Sequence, residues 1–305
     1  VRSVLSETPA GLVVSARVVE EPGSHLVDIL SVSAPTDETA LPLSPLPAPP
    51  APAAVEVLSS SRTAQIDGPI LDLAFFGDDR LVVLGADSVA LYRWDDARLT
   101  LQARRPLSGP LDTVRFPGGL LRVAERDAAF WALTSRSPRA LLFAVEDGRL
   151  VERQEAEALP WPGSPAGLRY RPGTNLIEGV VGDLGAGPFL ALEDSAPGVA
   201  VTADAVLRDG AVAGPTVGPA LAALRPGLVA APSPEPPGED DAILIVAMPG
   251  GAAQGLRVLD SLRVEGAVRA LAGRARGESM RLVAALEDAQ GGARLLVMDL
   301  RHLQP

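Results

Sequence analysis

Two stretches at opposite ends of the chain carry the same three-part pattern, and this repetition constrains the fold more than any other feature. In the first, Asp67-Gly68-Pro69-Ile70-Leu71-Asp72-Leu73 leads to Gly77-Asp78-Asp79-Arg80-Leu81-Val82-Val83, then to Ser88-Val89-Ala90-Leu91-Tyr92-Arg93-Trp94-Asp95. In the second, Glu265-Gly266-Ala267-Val268-Arg269-Ala270-Leu271 leads to Gly277-Glu278-Ser279-Met280-Arg281-Leu282-Val283-Ala284, then to Ala293-Arg294-Leu295-Leu296-Val297-Met298-Asp299-Leu300. Each reads as three short strands joined by tight turns, because apolar and β-branched runs are bounded by Gly and acidic residues. The Gly-acidic loop ahead of the second strand recurs as Gly238-Glu239-Asp240-Asp241 before Ala242-Ile243-Leu244-Ile245. Unit openings recur at Gly68-Pro69, Gly109-Pro110, Ser164-Pro165, Gly218-Pro219 and Gly266-Ala267, with gaps of 41, 55, 54 and 48 residues. These gaps fit four-stranded units with loops of varying length. The stretch from 165 to 217, with its apolar run Gly187-Pro188-Phe189-Leu190-Ala191-Leu192, has room for two degenerate units.

One such antiparallel sheet is too small to bury both faces, and packing several about an axis solves the problem while leaving only short edges. With 30 Gly and 29 Pro in 305 residues, helices beyond about three turns are disfavoured. The expected fold is therefore all-β: a closed β-propeller of five to seven four-stranded blades. The last unit stops after its third strand. Upstream of the first unit, Val55-Glu56-Val57-Leu58-Ser59-Ser60-Ser61 lies where Leu99-Thr100-Leu101-Gln102-Ala103-Arg104 lies before the second. The early segment is thus expected to complete the final blade and close the ring.

Ahead of the repeats, residues 1–40 hold a β-hairpin, with strands within 12–19 and 26–32 and a turn at Glu21-Pro22-Gly23-Ser24. Residues 41–54 contain six prolines in fourteen positions. They read as an extended linker able to span roughly 40 Å. The propeller is assigned residues 55–305. The chain opens at Val1 without a charged-then-apolar leader, which leaves a removed leader, a fragment or a cytosolic start open.

Composition narrows the function. A net charge of −11 excludes a nucleic-acid partner, which requires basic surface. The absence of Cys removes disulfides, thiolate nucleophiles and Cys-based metal sites, and two histidines, His25 and His302, cannot build a His-rich centre. No apolar stretch is long enough for a membrane-spanning helix. Every basic residue is Arg, which together with abundant Ala, Gly, Pro, Leu and Val points to a GC-rich genome.

The order of opening Gly, apolar strand, Gly-acidic loop, Leu-Val-Val strand and aromatic-bearing strand resembles the integrin-alpha-type repeat, the FG-GAP or VCBS class of bacterial propeller, in degenerate form. The likeness covers about residues 55–303. It implies a propeller exported to the periplasm or cell surface, where it binds a protein or glycan. That class often binds calcium through Asp-x-Asp-x-Asp-Gly loops. The matching positions here, Gly77-Asp78-Asp79-Arg80, Gly238-Glu239-Asp240-Asp241 and Gly277-Glu278-Ser279-Met280, lack the alternating carboxylates, so no metal site is carried over.

No catalytic constellation can be assembled. The carboxylate pairs Asp78 with Asp79, Asp95 with Asp96, and Glu239 with Asp240 and Asp241 are adjacent in turns and read as solvated turn formers. Gly182-Asp183-Leu184-Gly185-Ala186-Gly187 lacks the Lys and helix of a phosphate cradle. Trp94 and Trp131 are expected between blades. Trp161, between Pro160 and Pro162, is the candidate exposed partner contact, with Tyr170 and Arg171, because aromatic and Arg side chains dominate binding hot spots. The expected function is a non-enzymatic, cofactor-free binding scaffold of the bacterial envelope. Two alternatives stand beside it: a glycan-processing enzyme with paired channel carboxylates, and a structural subunit of a larger assembly.

Overall fold

A computed structural model describes residues 2–8, 11–20, 25–34, 55–63, 65–66, 68–95, 98–107, 117–124, 128–193, 198–208, 211–234, 240–248, 255–288 and 290–303, those up to residue 34 as backbone. The linker at 41–54, the turn at 21–24 and the opening at Gly109-Pro110 lie outside them. The chain divides into two compact units, Val1–Pro52 and Ala53–Pro305. In the first, β1 (Arg2–Thr8), β2 (Gly11–Glu20) and β3 (His25–Ala34) form an antiparallel sheet in that order, so β1 is added to the expected hairpin.

The second unit is a six-bladed β-propeller. Its closing strand β4 (Val55–Arg62) comes first in sequence. Blade 1 follows as β5 (Ile70–Phe76), β6 (Arg80–Gly85), β7 (Ser88–Asp95) and β8 (Arg98–Pro106). Blade 2 is β9 (Gly119–Ala124), β10 (Ala129–Thr134), β11 (Ala140–Glu146) and β12 (Arg149–Ala156). Blade 3 is short: β13 (Leu159–Trp161), β14 (Ser164–Tyr170) and β15 (Ile177–Glu178), with a small hairpin of β16 (Val180–Val181) and β17 (Gly185–Ala186). Phe189 bridges to Ile177 beside β15. Blade 4 is β18 (Ala191–Glu193), β19 (Val199–Val201), β20 (Ala205–Arg208) and β21 (Ala211–Pro215). Blade 5 is β22 (Ala222–Arg225), β23 (Leu228–Pro232), β24 (Asp240–Ala247) and β25 (Arg257–Glu265). Blade 6 is β26 (Ala267–Arg276), β27 (Ser279–Glu287) and β28 (Ala293–His302), completed by β4.

The expected closure is present in register: Val297 faces Ser61, Leu300 faces Val57 and His302 faces Val55. The long stretch after 165 does hold most of blade 3 and all of blade 4. One loop differs from expectation: Asp240 begins the third strand of blade 5, not the second, which starts at Leu228 after the turn at Gly227.

Radial packing explains why the second strands read as unbroken apolar runs. Leu81 and Val83 of β6 join the core shared with blade 6, whereas Val82 and Leu84 join the core shared with blade 2. On β27, Met280, Leu282, Ala284 and Leu286 face blade 5, and Val283 and Ala285 face blade 1. Phe130 and Ala132 of β10 pack toward blade 1, Trp131 and Leu133 toward blade 3. Successive cores therefore connect every blade to the next, including blade 6 to blade 1. The inner strands of blades 5 and 6 approach closely at one point. A Cβ on Gly273 would lie 2.5 Å from the carbonyl oxygen of Ala223 on blade 5, a contact no real Cβ makes.

Phe130 is fully buried, edge-on to Phe76 at 5.7 Å and stacked on Phe143 at 5.6 Å. Phe130→Ala should cost about 3–5 kcal/mol, read from urea unfolding. Gly273→Ala should destabilise through backbone displacement, about 1–3 kcal/mol, while Ala272→Gly beside it should cost at most about 1.

Candidate functional site

The inner strands enclose an axial channel of about 1000 Å³. Its wall takes residues from all six blades: Asp72 to Phe76 of β5, Leu120 to Ala124 of β9, Trp161 of β13, Leu192 and Glu193 of β18, Leu221 ahead of β22, and Leu271 to Arg274 of β26. One mouth is edged by Gly77, Asp78 and Arg80 at the β5–β6 turn and by Ala124 and Ala128 at the β9–β10 turn.

The polar groups of this wall join neighbouring blades. Asp72 sits just past a bulge in β5. Its Oδ1 accepts the amide of Leu73 at 2.8 Å and its Oδ2 that of Leu121, on blade 2, at 2.6 Å. Glu193 Oε2 accepts the Ala223 amide of blade 5 at 3.0 Å. Away from the channel wall, Asp241 repeats the Asp72 pattern, taking Ala242 at 2.7 Å and Val268 of blade 6 at 3.0 Å. Guanidinium groups do the reverse. Arg122 donates to the Pro160 carbonyl of blade 3 at 3.2 Å, and Arg274 of blade 6 donates to the carbonyls of Gly77, at 2.8 Å, and Asp78 on blade 1.

Burial pushes the Asp72 carboxyl up to about 7, against the lowering effect of its two amide donors, and the nearby Glu193 charge adds to the rise. Burial also raises the Tyr170 phenol, with the Asp72 charge as a second cause. The Arg274 guanidinium is lowered first by burial and then by the like charges of Arg276 and Arg281, with Asp78 and Asp79 opposing.

The three residues expected as an exposed contact do not form one. Trp161 is 8% exposed and packs in the core joining blades 2, 3 and 4. The expectation of exposure fails because Trp161 belongs to β13, the innermost strand of its blade, together with Pro160, while Pro162 lies exposed in the turn that follows. The register pairs Trp161 with Ser164, leaving Tyr170 at the far end of β14, part-buried against the same core. Arg171 is exposed, and its Nε donates to Glu178 at 2.7 Å. Trp131 is buried between blades 2 and 3. Trp94 packs on the blade 6 to blade 1 core under Arg281, whose guanidinium lies 4.8 Å from the ring centre. His302 lies on β28, outside the channel wall.

Asp72, Arg122, Glu193 and Arg274 do not stand out in the sequence as candidates. The one signal it holds for them is a lone charge inside an apolar strand, as in Ile70-Leu71-Asp72-Leu73-Ala74-Phe75-Phe76.

No family model matches the chain, and no curated protein matches it. Among solved structures it is similar to a PQQ-bound aldose sugar dehydrogenase of Streptomyces coelicolor, with TM-score 0.48 and 15% identity over 83% of this chain and 100% of that one. It is also similar to the apo soluble aldose sugar dehydrogenase of Escherichia coli, with TM-score 0.36 and 12% identity over 82% and 99%. The WD40 domain of Toxoplasma gondii coronin gives TM-score 0.36 and 12% identity over 99% and 79%. Likeness at this distance assigns no residue a role.

Asp72 makes stability depend on pH. Its unfolded value is 3.8 and its folded value about 7, so the folded state holds a proton that the unfolded chain releases. Its contribution is complete below the unfolded value and is lost as pH rises through the folded one, on the order of 2–4 kcal/mol. Asp72→Asn keeps one acceptor and should cost about 1 kcal/mol in acid. It should remove this decline, so that urea midpoints of the two proteins cross between about pH 4 and pH 5, where the loss at Asp72 reaches about 1 kcal/mol.

Proposed function

We propose that the ring is a non-enzymatic binding propeller that offers its channel mouth and one face to a protein or glycan partner in a bacterial cell envelope. The observation that carries this reading is the commitment of the channel carboxylates to the backbone. Oδ2 of Asp72 and Oε2 of Glu193 accept amides of the next blade, and Oδ1 of Asp72 accepts the amide of the adjacent Leu73. A glycoside hydrolase needs one carboxyl aimed to protonate the leaving oxygen and a second to attack or to activate water. Carboxyls serving as joints between blades are poorly placed for either task. The envelope setting is supported by the likeness to integrin-alpha-type repeats.

One observation favours the second reading, a glycan-processing enzyme. Asp72 is pushed up to about 7, with the Glu193 charge among the causes, and a carboxyl that keeps its proton near neutral pH is what a general acid requires.

A turnover screen separates the two. Aryl glycosides and polysaccharides incubated with the protein between about pH 5 and 8 should show no release above background. Release that disappears in a folded Asp72→Asn variant would overturn the binding reading in favour of the second.

A further inference from the structure

Building on the binding reading, we propose that the channel mouth between the β5–β6 turn and the end of β26 holds a small organic carboxylate anchored by Arg274. This guanidinium is already fixed in place. It donates to the carbonyls of Gly77 and Asp78 and lies 4.4 Å from the centre of the Phe75 ring. Those two bonds use two of the five N–H groups of an arginine. The other three, among them the buried Nε–H, meet no acceptor among the described residues.

Two further guanidinium groups stand on the same side. Arg80 lines the mouth, 4.7 Å from the centre of the Phe76 ring and with its Nε 3.6 Å from Asp79. Arg276, exposed two residues beyond Arg274, makes no ion pair among the described residues. Arg276 and Arg281 act on Arg274 more strongly than the opposing Asp78 and Asp79 do. Arg274 and Arg276 thus bring two guanidinium groups to this mouth, with Asp78 on its wall, on a protein whose net charge is −11.

The remaining wall suits an organic body. Ala74, Ala124 and Ala128 line the mouth without charge, and the channel of about 1000 Å³ leaves room for a sugar-sized group. Deeper in, Asp72 retains its proton to about pH 7 and so withholds one repelling charge from an anion below that pH. A guanidinium with donors still to give suits a carboxylate acceptor.

The test is calorimetric titration of the full chain with D-glucuronate, glucose and inorganic phosphate at low ionic strength. Glucuronate should bind saturably, glucose should not, and the affinity should fall as salt is added. Arg276→Gln should weaken glucuronate about threefold to tenfold, and Arg274→Gln about tenfold to a hundredfold, the range expected for losing a charge-assisted hydrogen bond. If Arg274→Gln does not fold, Arg80→Gln combined with Arg276→Gln should still lower affinity at least about tenfold. Glucose binding as tightly as glucuronate overturns the proposal, as does phosphate binding more tightly, or full affinity in the Arg variants. Absence of glucuronate binding by folded protein also sinks this site yet leaves the binding reading standing, since that reading falls only to turnover.

Discussion

In every blade but the third the second strand is divided between two cores, and the rest of the ring depends on that division. Along Leu81-Val82-Val83-Leu84 every side chain is almost fully buried, yet alternate ones belong to opposite neighbours. A buried Leu or Val stabilises by about 1.5–3 kcal/mol, and here half of that gain requires the blade on one side and half the blade on the other. A partial ring would bear the ordering cost of all its strands while collecting only part of the burial. Closure is thus energetically central. β28 shows the same division, with Leu296, Met298 and Leu300 facing blade 5 and Leu295 and Val297 facing blade 1. β4 covers the edge of β28 that would otherwise be open, and Val55 at its start enters the core shared with blade 5. Its links reach further: the Val55 amide donates to Asp260 of blade 5 at 3.2 Å, and Arg62 pairs with Glu265 at 2.6 Å.

Close to the axis this apolar logic gives out. Inner strands of neighbouring blades come close at points, as Gly273 against Ala223 illustrates, and each inner strand has backbone groups with no strand beyond them to bond. The wall meets that need with carboxylates that accept amides from the next blade and guanidinium groups that donate to its carbonyls. Asp72 carries the consequence most clearly, since the packing that makes its amide bonds short also removes the water that would keep it charged. The groups that define the channel's chemistry are therefore the groups that join the blades. A ligand that altered the charge of one would act on the joint between two blades as well as on the site.

The same physics explains what the sequence reveals. The end units are legible because β5 to β7 and β26 to β28 are long, with tight Gly turns that repeat in order and spacing. The closing strand can be inferred because the last unit lacks a fourth. Blade 3 is not legible: β13, β15, β16 and β17 are two or three residues each, too short for a periodic signal. Gly179 shows why such a segment looks like loop. Its φ of 151° lies outside the range L side chains favour, and a Cβ there would sit 2.7 Å from Leu168 Cδ2. Trp161 misleads for a related reason. Proline on both sides suggests an exposed connection, but only Pro162 lies in a turn, and Pro160 sits on the inner strand edge, which tolerates proline because no ladder bond is lost. The channel residues escape notice because a carboxylate becomes meaningful only when another blade's amide is brought to it, and Leu121 lies 49 residues from Asp72.

The seam between blade 6 and blade 1 gives the chain's exclusive use of arginine a structural meaning beyond genome composition. Arg274 spans two successive carbonyls of the β5–β6 turn while stacking on Phe75. Arg281 grips both oxygens of Asp299, on the next strand of its own blade, at 2.7 and 2.9 Å, and lies over Trp94 of blade 1. Ser59 of the closing strand adds a bond to the same carboxylate at 3.1 Å. Both arrangements need a flat cation that donates in its plane and stacks on its face. Lysine, a compact ammonium with neither property, would satisfy one contact and lose the other. The joint that completes the circle is thus built from side chains able to serve two blades at once, as the alternating strands do in the apolar layer.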